Sequence, residues 1–522
     1  MANISKNSKS NKRDYLNSRV YSPKKITWKT GVGFGMIDLM GGGWNNIVSG
    51  VIFTFLMFQG IEPAIAGAIT GIGRIIDAVF SLFIGDITDN FYKNYLGRKF
   101  GRRHFFIFFG GIIFACVFPL FWLPIGEFWF YLIVYIVLEV VIAFILIPWE
   151  TLPTEMTKDY KKRTVLSGTR MFISATGTSL VFIILAVLKG TNNPDAYLIT
   201  GVIWTVIFVI AIFISWGTTW ETPLTKEVIA ELDAKPKKTF LQVISGSVKD
   251  YFSTFRNKAF RKHLAVYILS FTGKDFYATM LPTFVIYCLI MNDSDAWLLL
   301  ALSAIGIPVT LLATRIMITK GPRFLFALSY SLIIASMVAY ASLYIAQLRN
   351  PLVALIVISL FFQSGRAILE FTPWNVFPFI PDVDRIMTRK SRAGIYAAVM
   401  TFFRKSTGAL ATWAAGILLD VIGFKPAPKG SSLDQIHGYA EGLPGNITTS
   451  IMVIFFSGTV LLIALALIFS RFFRLNKETH AVLVKEIDRL EAGGSMADAN
   501  DEAKSVAEKL TGHKYETLWK DE

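Results

Sequence analysis

Arg74 and Asp77 stand three residues apart inside the otherwise apolar stretch GIGRIIDAVFSLFIGDITDN. Positions i and i+3 share a helix face, so the two can neutralise each other. The alternative is that Asp77 holds a cation. A carboxylate in an apolar segment can take up H+ or offer its oxygens to Na+. Arg404 and Lys405 form a second charged pair, in FFRKSTGAL. Adjacent helical residues point about 100° apart. One cation should therefore face a polar cavity while the other snorkels toward the helix end. We assign Lys405 to the cavity, near Asp77, and Arg404 to snorkelling. Asp38 lies among glycines in GFGMIDLMGGG, without a basic residue in its own segment. It can accept hydrogen bonds from adjacent sugar hydroxyls, or anchor two helices. Trp149 offers an aromatic face of the kind that stacks on sugar rings, and Arg170 can donate paired hydrogen bonds. Glu150 and Glu155 are candidate gate charges for the basic loops. Glu139, Lys274, Asp275, Arg366 and Glu370 are further charges in apolar segments. They are expected to pair across the two halves of the chain.

The elements that carry these residues are long apolar runs. Each is long enough to cross the ~30 Å of a bilayer's hydrocarbon core. Twelve spans are expected, at 31–58, 63–89, 104–123, 128–149, 168–188, 197–216, 263–290, 297–318, 323–347, 352–371, 393–422 and 448–472. Pro148 and Pro153 are expected to break the helix that holds them. Asp38 in the first span and Lys274–Asp275 in the seventh sit at similar depths, an echo between halves.

Loop charge alternates along the chain. Lys93, Arg98, Lys99, Arg102 and Arg103 fall in one loop, Lys158, Lys161, Lys162 and Arg163 in another, and Lys235, Lys237, Lys238, Arg256, Lys258, Arg261 and Lys262 in the long central one. The intervening loops hold little more than Lys189, Arg349, Lys425 and Lys429. Basic loops stay inside, which puts both termini in the cytoplasm and the chain in a membrane, the plasma membrane by expectation. The resulting organisation is a basic cytoplasmic tail (1–30), a six-helix bundle (31–216), a cytoplasmic loop (217–262), a second six-helix bundle (263–472) and a charged cytoplasmic tail (473–522). In that last tail, Val482, Leu483, Ile487 and Leu490 have the spacing of a short amphipathic helix.

Composition narrows the class. The chain has 522 residues, 53% of them hydrophobic, and a formal net charge of +15. Continuous apolar runs argue for an all-α polytopic membrane protein rather than a β-barrel, whose segments alternate. The basic residues lie between hydrophobic segments, so the charge needs no nucleic-acid partner. Cys116 and Cys288 are far apart and in apolar segments, which argues against a disulfide framework. No metal-ligand spacing, phosphate loop or nucleophile–histidine pair is present, so neither an enzyme nor a cofactor beyond a coupling cation is expected.

Three stretches carry a resemblance. They are RIIDA at 74–78, IPWETLPTEMTKDYKKRT at 147–164 and PFIPDVDRIMTRKSRAGIYAAVMTFFRKSTG at 378–408. Together they resemble the glycoside–pentoside–hexuronide:cation symporters, the melibiose-permease-like branch of the major facilitator superfamily. GDITD at 85–89 and GRR at 101–103 look like that superfamily's loop motif with an insertion, which puts Asp89 and Arg102 at a gate. The resemblance implies a major facilitator fold of two six-helix bundles with the substrate site between them. It implies that Asp77 takes part in cation binding, with Arg74 beside it and Lys405 near that site. It also implies that Asp38 and Arg170 contact sugar. Thr401 lies one turn before Lys405 and is placed with the substrate residues, as is Trp149.

The departures from the family pattern are informative. Sodium-using relatives carry a second acid where this chain has Ser81. Ile37 replaces a lysine, and Leu146 replaces a sugar-binding acid. Loss of a carboxylate removes oxygens that Na+ needs, while H+ needs one titrating site, so H+ is favoured over Na+. The resulting expectation is cation-coupled symport of a glycoside or oligosaccharide by alternating access. The competing transport reading is a lysolipid or similar amphipathic solute, and a membrane sensor or enzyme is the reading of another class. The sequence leaves the oligomeric state open.

Overall fold

The computed structural model describes residues 19–157, 159–191, 193–225, 229, 249, 251–390 and 392–519. Most of the basic N-terminal tail, Lys158, and the central-loop residues Lys235, Lys237 and Lys238 lie outside the described residues. Within them the chain is built from helices. In order these are α1 (Trp28–Gly35), α2 (Asp38–Asn46), α3 (Ile52–Phe58), α4 (Pro63–Asn90), α5 (Tyr95–Phe100), α6 (His104–Phe121), α7 (Phe128–Met156), α8 (Tyr160–Lys189) and α9 (Ala196–Thr218). There follow α10 (Lys258–Tyr287), α11 (Asp293–Ala301), α12 (Gly306–Ala346), α13 (Leu352–Val376), α14 (Ile380–Thr388) and α15 (Ala393–Val421). The last are α16 (Leu433–Glu441), α17 (Gly445–Arg471), α18 (Lys477–Glu491) and α19 (Asp501–Thr511).

Eight segments among the described residues are long and apolar enough to cross a membrane. One runs from Asp293 to Ala346 and contains two of the expected spans, divided where Gly321 takes φ 75° ahead of Pro322. The first expected span is in pieces: α1, α2 and α3 are separated at Met36–Ile37 and by a π-helical turn, Ile47–Val51. Charged residues lower the hydropathy of α10 and α15, which carry Lys274, Asp275, Arg404 and Lys405. The expected break at Pro148 and Pro153 does not occur, because α7 runs through both prolines to Met156. A proline costs a helix one backbone bond, and in an apolar setting nearby hydroxyls and neighbouring helices compensate. The carbonyls that lose their backbone donor here are those of Phe144 and Trp149, four residues before each proline.

The chain forms two compact units. The first comprises 1–243, 292–304 and 425–436. Its core is aromatic: Phe55 packs edge-on to Tyr131 at 5.7 Å and lies 5.0 Å from Trp122. Its helices α2 and α8 meet backbone to backbone. A Cβ on Gly42 would lie 2.5 Å from the Ser174 carbonyl oxygen, and one on Gly177 2.5 Å from that of Leu39. Only glycine permits so close an approach.

The second unit comprises 244–291, 305–424 and 437–522. Tyr277 stacks on Phe362 at 3.5 Å, and Phe284 on Phe455 at 4.8 Å. The end of the chain folds onto this unit. Asn476 caps α18 by accepting from the Thr479 amide at 2.9 Å. Leu483, Ile487 and Leu490 are buried, as the amphipathic spacing predicted. Ala503, Ala507 and Leu510 of α19 are buried too. Arg385 pairs with Glu491 at 2.6 Å and His480 meets Asp382 at 2.7 Å, which ties α18 to α14.

Candidate functional site

In the first unit Asp38 opens α2, directly after the break at Met36–Ile37. Its Oδ2 accepts from Arg170 Nε at 2.8 Å, and Arg170 Nη2 reaches Glu150 Oε1 at 2.6 Å. The guanidinium lies over the Trp149 ring at 4.5 Å. The other partners of Trp149 are in α1: its ring stacks on Phe34 at 5.0 Å, and its Nε1 donates to the Phe34 carbonyl at 2.8 Å. Trp149 is fully buried, with its faces taken by Phe34 and Arg170. In this conformation it orients Arg170 rather than offering a free platform. Glu150 is likewise a partner of Arg170, not of a basic loop. Asp38 and Arg170 are thus brought together, with half-buried hydrogen-bonding groups left on the guanidinium.

Arg74 does not depend on its neighbour Asp77 for an ion pair. Its Nε lies 3.3 Å from Glu139 Oε1, and its Nη2 donates to Asn45 Oδ1 at 3.2 Å. Glu139 also accepts from the Tyr135 hydroxyl at 2.6 Å and from Trp44 Nε1 at 3.3 Å. These three side chains supply the buried carboxylate with donors on both oxygens. Asp77 is 2% exposed and accepts from the Ser81 hydroxyl at 3.2 Å. Ser81, where the family pattern expected a second acid, is thus a hydrogen-bond donor to Asp77.

Asp89, Arg102 and Glu155 form a separate cluster. Arg103 Nη2 meets Asp89 Oδ1 at 2.7 Å, and its Nη1 lies 3.0 Å from Glu155 Oε1. Arg102 pairs with the same Glu155 oxygen. Sequence reasoning passed over the residue at the centre of this cluster, Glu221, just beyond α9. It accepts from the backbone amides of Arg103 at 2.9 Å and His104 at 2.8 Å on Oε1, and of Arg102 at 3.1 Å on Oε2. His104 Nδ1 is 2.9 Å away. Burial alone would raise the pKa of Glu221, but the His104 ring and these amides outweigh it and hold the carboxyl below its ordinary range. Gly101, at φ 90°, lets the loop close over it, since a Cβ there would sit 2.6 Å from Glu221 Oε1. The available signal was an acid placed immediately after an apolar span.

The second unit gathers Lys274, Asp275, Arg366, Glu370 and Arg404. Lys274 Nζ lies 2.6 Å from Glu370 Oε1 and 3.5 Å from Asp275 Oδ1. Arg366 Nε meets the same Glu370 oxygen at 3.1 Å. Arg404 forks onto Asp275, with Nη1 at 2.6 Å from Oδ2 and Nη2 at 3.2 Å from Oδ1. This corrects two expectations. Arg404 does not snorkel, because its guanidinium is forked onto a buried carboxylate. Lys274, Asp275 and Glu370 also find partners within their own unit. Thr401 is exposed and Lys405 half-buried, both on α15.

Each unit thus sets an aspartate on an early helix against an arginine on a later one, within a helical scaffold long enough to span a bilayer. The profile of the family described as MFS/sugar transport protein matches residues 33–477, and the chain belongs to this family. The resemblance read from its motifs is borne out. The chain is 22% identical over 497 residues to "Uncharacterized symporter sll1374" of Synechocystis, covering 78% of this chain and 88% of that one. It is 24% identical over 483 residues to "Uncharacterized symporter YnaJ" of Bacillus subtilis, covering 89% and 96%. Among solved structures, the partially occluded, inward-open xylose transporter XylE of E. coli superposes with a TM-score of 0.55 at 12% identity. It covers 87% of this chain and 98% of that one, a likeness of fold. The major facilitator fold expected from sequence is the fold observed.

Proposed function

We propose that this transporter couples uptake of a glycoside or oligosaccharide to the downhill entry of a cation, H+ in preference to Na+, by alternating access. The observation that supports the reading is buried Asp77, which accepts a hydrogen bond from Ser81 where the family pattern has a second acid. A proton needs a single titrating group. A sodium ion prefers several oxygens. Asp38 and Arg170 supply a paired acceptor and donor for neighbouring hydroxyls, and Glu150 and Trp149 hold the guanidinium in place. Lys405 contributes a charge to the cation step and Thr401 a hydroxyl to the substrate step. Asp89, Arg102 and Glu155 serve the gate, and Lys274, Asp275 and Glu370 keep the second unit's charges balanced.

Cation and sugar each raise the other's affinity, as linkage requires. Both termini face the cytoplasm of a plasma-membrane protein, a reading supported by the alternation of basic loops. The test is radiolabelled glycoside uptake into proteoliposomes. Asp77→Asn should abolish accumulation against a gradient, and unchanged accumulation overturns the assignment. Removing Na+ at fixed pH should leave uptake intact, and a large drop reverses the choice of ion.

A further inference from the structure

A cavity of about 420 Å³ opens in the second unit between the folded tail and the helices beneath it. Three stretches far apart in sequence build its wall: Arg323; Arg474 with Asn476 and Thr479; and Lys509 with Val506 and Leu510. Arg323 follows the Gly321–Pro322 break in α12, Arg474 follows the end of α17, and Lys509 lies on α19. None of these lining residues is acidic.

The positive charge extends beyond the wall. Lys262 Nζ donates to the Phe472 carbonyl at 2.9 Å, and Arg323 Nε to that of Phe473. Lys262 thereby stands in the field of Lys258, Arg323 and Arg474. Glu478, in the first turn of the neighbouring α18, is the acid nearest in sequence, but it is not part of the wall. Cations gathered on a wall without an acid repel one another, and a bound anion relieves that repulsion. Two guanidiniums and an ammonium from separate elements can together meet an oxyanion that presents oxygens in several directions, as a phosphate does. The volume is that of a small-molecule site. Val506 and Leu510 give it one apolar side.

We propose that this cavity binds a phosphate-bearing anion, held by Arg323, Arg474 and Lys509, with Val506 and Leu510 against its organic part. The phosphate can come from a lipid headgroup or from a soluble phosphate compound, since the chemistry of recognition is the same. Because α19 forms part of the wall, occupancy ties the tail to the unit beneath it.

The full-length chain is purified in detergent and melted with sodium pyrophosphate or with NaCl at matched ionic strength. It is also reconstituted in phosphatidylcholine vesicles with or without phosphatidylglycerol, and trypsin cleavage of the tail is followed. Pyrophosphate raising the melting temperature points to a soluble ligand. Protection by phosphatidylglycerol without a pyrophosphate effect points to the lipid. In either case Arg474→Gln with Lys509→Gln, both exposed residues, should weaken the response by about tenfold or more. Lys485→Gln, elsewhere on the tail, should leave it unchanged. No response to either probe, or a double variant that responds as the parent does, overturns the proposal.

Discussion

Asp275 and Arg404 share two parallel hydrogen bonds, 2.6 and 3.2 Å long, between the opening helix of the second group of spans and a later one. Asp38 and Arg170 also join two helices of the first unit, α2 and α8, but through a single 2.8 Å contact. The echo in sequence between Asp38 and Lys274–Asp275 thus has a structural counterpart, and its partner in both cases is an arginine. Arg404→Gln would leave Asp275 buried without its fork. The loss should be about 2–4 kcal/mol, reduced somewhat because the Arg404 side chain is 20% exposed. A thermal melt in detergent reads this, and adding Asp275→Asn should restore part of the stability. Equal loss in the single and double variants would show that the pair is not the cause.

Ser81→Glu returns a second carboxylate one turn from Asp77. With two acids able to supply oxygens, Na+ should gain a site. Uptake by this variant should become stimulated by Na+ at fixed pH, where the parent's is not. Uptake indifferent to Na+ in both proteins would remove Ser81 from the choice of ion.

Arg170→Lys keeps the positive charge but loses the geometry that spans Asp38 and Glu150 together. Glycoside uptake should fall by about tenfold or more, with a melting temperature close to the parent's. If uptake is retained, the guanidinium fork is dispensable and Asp38 alone recognises the substrate.

Glu221→Gln removes the charge on which three backbone amides and a histidine converge, at a cost of about 2–3 kcal/mol at neutral pH. The folded-state pKa of Glu221 is lowered, so its contribution is complete above the ordinary glutamate range. It disappears only as pH falls through the lowered value. Melting temperatures of parent and variant should differ at pH 7 and converge in strong acid. A gap that is constant with pH would mean that packing, not charge, is responsible.

The spans were legible because a run of apolar residues is a property of the chain itself. The resemblance singled out Asp38 and Arg170 each as a substrate residue, but not their contact with each other. Partners were not legible where they depend on helix neighbours. The i+3 spacing offered Arg74 only Asp77 as a partner, and nothing near it in sequence announced Glu139 on α7, which meets its Nε. Arg404 looked like a residue reaching for water, because nothing near it in sequence announces Asp275. Hydropathy also hides backbone detail. The π-helical turn at Ile47–Val51 and the passage of α7 through Pro148 and Pro153 leave no trace in an apolar average.

The glycine contacts between α2 and α8 have a consequence for ligand handling. With Gly42 against the Ser174 carbonyl and Gly177 against that of Leu39, the two helices have no room to slide. Asp38 and Arg170 therefore travel as fixed jaws on one rigid mount. On the function proposed above, a bound molecule would be carried by them without being squeezed. The spacing of its hydroxyls would be checked once, at capture, and any change in grip during the cycle would have to be made by residues elsewhere.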